Sequence, residues 1–360
     1  MRKRVLWVLG LAALALALAA CAPNASQDTL NPQGPYAREL KNLFVPVFWV
    51  AVGVFVVVEG GILLIALKYR HRKGQDRMPA QTHGNTRLEV GWTILPAVVL
   101  AVVAVPTVAT IWDLASKPPA NAINVTVTGR QWWWKYEYTD PEMKTAAGGQ
   151  IISANQLVIP TGRTIYLTVT ADAGAGSRSD AGVPGFAVIH SYWVPEICDG
   201  KQDAVPGHEN HIKCQADHPG TYTGNCAEFC GLNHGIMKLE VTALSPHDFE
   251  AWVANEKLDA ATPEPGSLAA TGLDTFMSVG CIACHAVRGV EGAEADAAPN
   301  LTHFASRDCM VGCLLDNQNP DDIARWLHDP AAVKEGVKMP NYHLSDDQIK
   351  ALVAYLMSLK

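Results

Sequence analysis

Two thiols four residues apart, an imidazole four further on and a thioether three beyond that put soft donors on one short loop, Cys226-Ala-Glu-Phe-Cys230-Gly-Leu-Asn-His234 with Met237. His190, upstream in His190-Ser-Tyr-Trp193, can complete the set. Thiolate, thioether and imidazole together select copper. One Cys, two His and a Met would make a mononuclear blue-copper site. The second Cys changes that answer, because two thiolates can bridge two coppers, each capped by one His. An unpaired electron shared over two metals alters each metal's geometry little on transfer. Such a site suits electron transfer rather than substrate turnover. The competing reading is a Cys226–Cys230 disulfide beside a surface His.

A second redox motif follows. Cys281-Ile-Ala-Cys284-His285 is the pattern of covalent c-type haem attachment, in which the thiols take the vinyl groups and the adjacent His becomes an iron ligand. A thioether opposite His raises the reduction potential. Met339, in Lys338-Met339-Pro340, is the candidate for that position; Met310 and His303 fall close to the attachment site. Ser345-Asp-Asp-Gln348 reads as a capping box ahead of a terminal helix, with Ile349, Leu352, Val353 and Leu356 at helical spacing. That helix would close the crevice. The alternatives for the motif are a redox dithiol or half a zinc site.

The elements that position these groups are unevenly distributed. Of 360 residues, 1–20 carry Arg2, Lys3 and Arg4, an apolar run, then Leu18-Ala19-Ala20-Cys21, which is signal-peptide organisation. The Cys after Leu-Ala-Ala looks like a lipobox, with Cys21 lipidated. Residues 21–42 would then be a short exposed segment. Residues 43–67 and 92–115 are each long and apolar enough to span a bilayer. Glu59 interrupts the first, and an intramembrane carboxylate usually faces protein rather than lipid. Between them, over 68–91, Lys68, Arg70, Arg72, Lys73, Arg77 and Arg87 outnumber Asp76 and Glu89. The positive-inside rule places that loop in the cytoplasm. Everything after about residue 116 then lies outside, in the periplasm or its equivalent.

Cysteine usage agrees with that compartment. Of nine Cys, one is assigned to lipid, two to copper and two to haem. The remainder, Cys198, Cys214, Cys309 and Cys313, can pair within their own domains, since an oxidising compartment permits disulfides. From 120 to 254 the chain alternates short strand-like runs with Gly and Pro, which argues for an all-β sandwich or barrel. Strands are expected over 123–128, 132–138, 156–160, 164–170, 186–193, 211–216, 221–226 and 236–242. Residues 172–184 look like a surface insertion. Residues 255–268 read as a linker, and helical patterning at 268–279, 320–328 and 346–358 suits a small haem domain over 269–360. Acidic residues outnumber basic ones 13 to 7 over 261–360, a face that could steer a basic electron donor.

Together these residues resemble subunit II of haem–copper cytochrome c oxidases, in the caa-type branch with a cytochrome c domain fused at the C-terminus. The most specific parts are His190-Ser-Tyr-Trp-Val-Pro, Cys226 to Met237, Gly129-Arg-Gln-Trp-Trp-Trp-Lys-Tyr136 and Trp92-Thr-Ile-Leu-Pro96. The resemblance implies a two-helix transmembrane hairpin, an all-β cupredoxin-like Greek-key barrel and an all-α class I cytochrome c domain. It implies that His190, Cys226, Cys230, His234, Met237 and the backbone carbonyl of Glu228 hold the dinuclear centre CuA. The Glu228 side chain would reach a magnesium ion shared with subunit I. Trp132 matches the tryptophan through which electrons arrive, and Glu89 the carboxylate at the mouth of a proton path.

The chain departs from the family pattern in its longer 172–184 stretch and in the Cys198, Cys214, Cys309 and Cys313 additions. The implied function is to relay electrons from a cytochrome c or a cytochrome bc complex, through haem c and CuA, to the oxygen-reducing site of subunit I. That reduction is coupled to proton pumping at a bacterial inner membrane, with subunit III a further partner and no nucleic acid involved. The alternatives are a CuA subunit of a nitric oxide reductase and a non-enzymatic copper-binding lipoprotein.

Overall fold

The computed structural model describes residues 7–8, 10–15, 25–70, 74, 81, 83–172 and 188–360. Cys21 and most of the 172–184 stretch lie outside the described residues, as do Arg72, Lys73, Asp76 and Arg77 of the basic loop. Two long helices come first, α1 (Pro35–Lys68) and α2 (Thr86–Leu114), both apolar enough to cross a bilayer. Most of their side chains are exposed; Ala37 near the start of α1 is buried, and half-buried residues such as Val52, Val99, Val103 and Thr107 lie in mid-helix. Helix α1 begins at Pro35, ahead of the apolar run at 43. Its first turns are not membrane: Tyr36 shares a 2.9 Å hydrogen bond with Thr164, and Arg38 pairs with Asp217 at 2.7 Å. Helix α2 also starts early, because the Asn85 side chain accepts from the amides of Arg87 and Leu88 and so caps its first turn.

The next domain is two five-stranded sheets packed face to face. One has the order β3-β2-β1-β5-β8, with β1 (Ile123–Arg130), β2 (Trp133–Tyr138), β3 (Ile151–Ala154), β5 (Ile165–Ala171) and β8 (Asn210–Cys214). The other has the order β4-β10-β9-β6-β7, with β4 (Gln156–Pro160), β6 (His190–Trp193), β7 (Lys201–Ala204), β9 (Gly220–Cys226) and β10 (Lys238–Leu244). The parallel pairs β1/β5 and β4/β10 cross between hairpins, giving the expected cupredoxin-like fold. Strands β1 and β5 bury every second residue, the period-2 signature of a sheet with one face on the core. Trp134, Tyr136, Tyr138 and Tyr192 are fully buried between the sheets.

Three elements were not expected. Strands β3 and β7 are four residues each, and β7 is an edge strand with only Ala204 buried, so it carries no apolar alternation. Helix α3 (Pro246–Glu256) occupies the end of the domain, capped by Ser245 accepting from the Asp248 amide. It packs Phe249 and Trp252 onto the sheet core, and the linker therefore starts at 257 rather than 255.

The C-terminal domain is helical: α4 (Leu268–Val279), α5 (Pro320–His328), α6 (Pro330–Val333) and α7 (Asp346–Ser358). A two-residue hairpin, β11 (Cys309–Met310) with β12 (Leu315–Asp316), is an addition to the all-α expectation. Helices α4 and α7 cross where Gly272 meets the Ala351 carbonyl, and the expected capping box at Ser345 is present with both of its bonds.

Candidate copper centre and haem crevice

Strand β6 delivers His190, the end of β9 delivers Cys226, and the loop to β10 carries Cys230, His234 and Met237. Strands β6 and β9 are antiparallel neighbours, so the start of one and the end of the other fall at the same end of the sheet. Cys226 Sγ and Cys230 Sγ lie 3.7 Å apart as free thiols, buried. His190 Nδ1 is 3.8 Å from Cys226, while His234 Nδ1 and Met237 Sδ are each 3.8 Å from Cys230. The Glu228 carbonyl oxygen accepts from Cys226 at 3.2 Å. Each sulfur thus has its own imidazole and its own weaker donor.

Two thiolates sharing one metal at about 2.3 Å with tetrahedral angles sit about 3.8 Å apart. The spacing observed is that of thiolates on a common metal rather than of a disulfide. Soft donors in a paired set, buried except for the half-buried His234, fit two coppers. The thiols also share a proton unequally. Cys226 is held well below the usual thiol range, chiefly by its hydrogen bond with Cys230 and further by His190 and backbone partners, and the same bond pushes Cys230 up.

The second motif sits at the mouth of α4. Gly280 ends that helix in the left-handed conformation, φ 92°, and the chain turns directly into Cys281–Ala283. His285 Nδ1 donates to the Pro299 carbonyl at 2.8 Å. That bond fixes the tautomer and leaves Nε2 free to ligate. Burial lowers the His285 pKa, favouring the neutral imidazole a metal needs. Cys281, Cys284, His285 and Met339 line one largely apolar cavity closed by Leu352 and Leu356 of α7. These residues fit a covalent haem. Met310 lines the cavity as well, whereas His303 points away, to the Lys360 and Leu258 carbonyls.

Family models place the same three regions. Cytochrome C oxidase subunit II, periplasmic domain, matches residues 123–244; its transmembrane domain matches 25–110; and cytochrome c matches 269–360. Cytochrome c oxidase subunit 2 of Alkalihalophilus pseudofirmus is 35% identical over 359 residues, covering 98% of this chain and 96% of that one. The Bacillus subtilis protein of the same name is 30% identical over 352 residues, 92% of each chain. The chain belongs to the cytochrome c oxidase subunit II family. Nothing in these matches favours a nitric oxide reductase or a copper-delivery lipoprotein.

Within this family member the other anticipated residues fall as follows. Trp132 lies between β1 and β2, and its Nε1 donates to the Cys230 carbonyl at 3.0 Å. Glu228 is half-buried, its carboxylate accepting from the Phe229 amide at 3.2 Å. Glu89 stands exposed in the first turn of α2, remote in the fold from the copper ligands. Cys198 is bonded to Cys214 and Cys309 to Cys313.

Three contributors were given no role of their own in the sequence reading, although two of them lie in the quoted Gly129 to Tyr136 motif. Gln131 donates to the same Cys230 carbonyl at 2.8 Å. Gly129 leaves room for the His190 ring, and a lone Gly inside an alternating strand signals such a close approach. Lys334, in the haem domain, gave no signal at all, because its partner belongs to another domain.

Proposed function

We propose that this chain accepts electrons from a cytochrome donor at its C-terminal domain and passes them through its β domain to subunit I of a proton-pumping cytochrome c oxidase. As a family member it is a subunit of an oxidoreductase complex. The single observation that carries the reading is the pair of free buried thiols 3.7 Å apart, each with its own His. That set shares one chain with a Cys-x-x-Cys-His crevice. When bound, haem c and the dinuclear copper supply one-electron carriers with little geometric change.

The protein's own residues then fix where those carriers sit. Cys281, Cys284, His285 and Met339 would hold the haem, with Pro299 orienting the His285 ring. His190, Cys226, Cys230, His234, Met237 and the Glu228 carbonyl would hold the coppers. Gln131 and Trp132 brace the Cys230 carbonyl from outside, so the indole is in direct hydrogen-bonded contact with a copper ligand. Phe229 and Leu232 stay largely exposed beside the site, an apolar edge suited to subunit I. The half-buried Glu228 carboxylate at that edge is the candidate for the shared magnesium, and Glu89 for the proton path. Subunit III is a further partner of the same assembly. Lipidation at Cys21, and a bacterial inner membrane with both soluble domains on its periplasmic side, complete the proposal.

Metal analysis and electron paramagnetic resonance of the full chain in detergent test it. Two coppers per covalent haem, with one electron delocalised over both, is the expected result. A single copper, or a Cys226–Cys230 disulfide in protein that carries haem, overturns it.

A further inference from the structure

The two soluble domains meet on the surface that carries Trp132. Gln131, Trp132 and Trp133 of the β domain line the same cavity as His285 and Met339. Around that wall the contacts are polar and paired. Asp296 Oδ2 of the C-terminal domain takes Arg130 Nη2 at 3.0 Å and Lys135 Nζ at 2.9 Å. Gln156 and Asp308 exchange two bonds, Nε2 to Oδ2 at 2.6 Å and the Asp308 amide to Oε1 at 3.1 Å.

Nearest the copper loop, two consecutive residues of the C-terminal domain make the contact. Lys334 Nζ donates to the Trp132 carbonyl at 2.8 Å, and the Glu335 carbonyl accepts from Asn233 Nδ2 at 2.6 Å. Lys334 and Asn233 are each 3% exposed. A buried ammonium is costly unless an acceptor meets it, and the acceptor here lies in the other domain. The Lys334 side chain is therefore satisfied by docking. Asn233 precedes His234, and Lys334 stands five residues before Met339. One short segment thus spans from the haem crevice to the copper loop.

We propose that Lys334 is a positioning residue that, with the adjacent Asn233–Glu335 bond, holds the C-terminal domain against Trp132. This chain's own domain then occupies the surface through which a separate cytochrome would reach Trp132. An external donor is left the outer face of the C-terminal domain. The inference rests on the reading of Trp132 and the two centres given above.

The test uses the full chain in detergent, comparing wild type with Lys334→Met and Lys334→Arg. Hydrogen exchange at 130–134 and 334–336 reads docking directly, and stopped-flow spectroscopy reads arrival of electrons at each domain separately. Lys334→Met is expected to speed exchange in both segments at least tenfold. It should slow transfer between the domains at least tenfold while leaving haem reduction by the external donor unchanged. Lys334→Arg, which keeps a cationic donor, should recover part of both. Unchanged protection and unchanged inter-domain transfer in Lys334→Met overturn the proposal.

If Lys334→Met does not accumulate, Asp296→Lys places a third cation against Arg130 and Lys135 at a half-exposed position. Wild-type protection in that variant counts against docking, and lost protection supports it. Copper and haem content are measured on every sample. Loss of the copper signal in wild type would defeat the proposed function while leaving the exchange result to judge the docking.

Discussion

At Gly129 a missing side chain decides the position of the His190 ring. A Cβ built there would lie 2.8 Å from His190 Cδ2 and 3.0 Å from His190 Cβ. The strand cannot retreat, because β1 is paired on both sides, with β2 and with β5. The ring must move instead. Gly129→Ala is expected to lower bound copper to one ion or fewer per haem, or to make the two coppers spectroscopically unequal, with covalent haem unchanged. Wild-type copper content and resonance in that variant would show that the ring has slack.

A second prediction concerns Asp199, beside the Cys198–Cys214 bridge. Burial pushes its carboxyl up to about 6, although it accepts from the Lys213 amide at 3.1 Å. A folded-state pKa raised above the unfolded value of 3.8 means the folded chain binds the proton more tightly. Stability is then lost as pH rises from about 4 through about 6. Asp199→Asn keeps an acceptor and removes the charge. It should stabilise the chain by about 1–2 kcal/mol at pH 7.5 and leave it unchanged near pH 4. Equal melting shifts at the two pH values would contradict this.

Element by element, what the sequence announced were helical patterning, one capping box and ligand spacings. Helices α4, α5 and α7 begin where Ser267, Asn319 and Ser345 accept from the amides that follow, and those signals lie within four residues of chain. The copper loop was legible for the same reason, since all but His190 fall between 226 and 237. Strands β3 and β7 were not legible: four residues hold too few alternations to distinguish a strand from a turn. Helix α3 starts at a Ser245 cap that the sequence reading did not use, the last expected strand ending at 242.

The crossing of α4 and α7 is a further feature that sequence hides, because only the packed pair shows why residue 272 is glycine. A Cβ there would come within 2.0 Å of the Ala351 carbonyl oxygen and 2.6 Å of Tyr355 Cβ. Gly272→Ala trades a helix-propensity gain for overpacking that costs about 1–3 kcal/mol, so the helices must separate. The C-terminal domain should melt several degrees lower, followed by circular dichroism, with the β domain's transition unmoved. A raised melting temperature would mean the helices slide apart at no cost.

On the scale of the whole molecule, single polar side chains join the three parts, some meeting other side chains and some reaching backbone carbonyls, contacts with no periodicity to read. Lys213 is one instance at the membrane end. It rises from β8, 4% exposed, and its Nζ donates to the Asp113 carbonyl at 3.3 Å and to the Ser116 carbonyl at 3.1 Å. The same ammonium sits 5.3 Å from the centre of the Tyr36 ring on α1. One cation therefore binds the carbonyl end of α2, where a positive charge is favoured, to α1 and to the β domain. This contact ties the β domain to both long helices. Lys213→Met preserves the length and apolar stem of the side chain and removes three donors. Hydrogen bonds to charged groups contribute about 1.5–3 kcal/mol each, offset here by water reaching the freed carbonyls. Amide exchange at 115–117 and 120 should accelerate, and protease should cut between α2 and β1, while copper and haem contents stay at wild-type values. If that segment keeps its protection, the anchor must hold instead through Tyr36 with Thr164 and Arg38 with Asp217. Arg38→Ala would then be the variant that frees it.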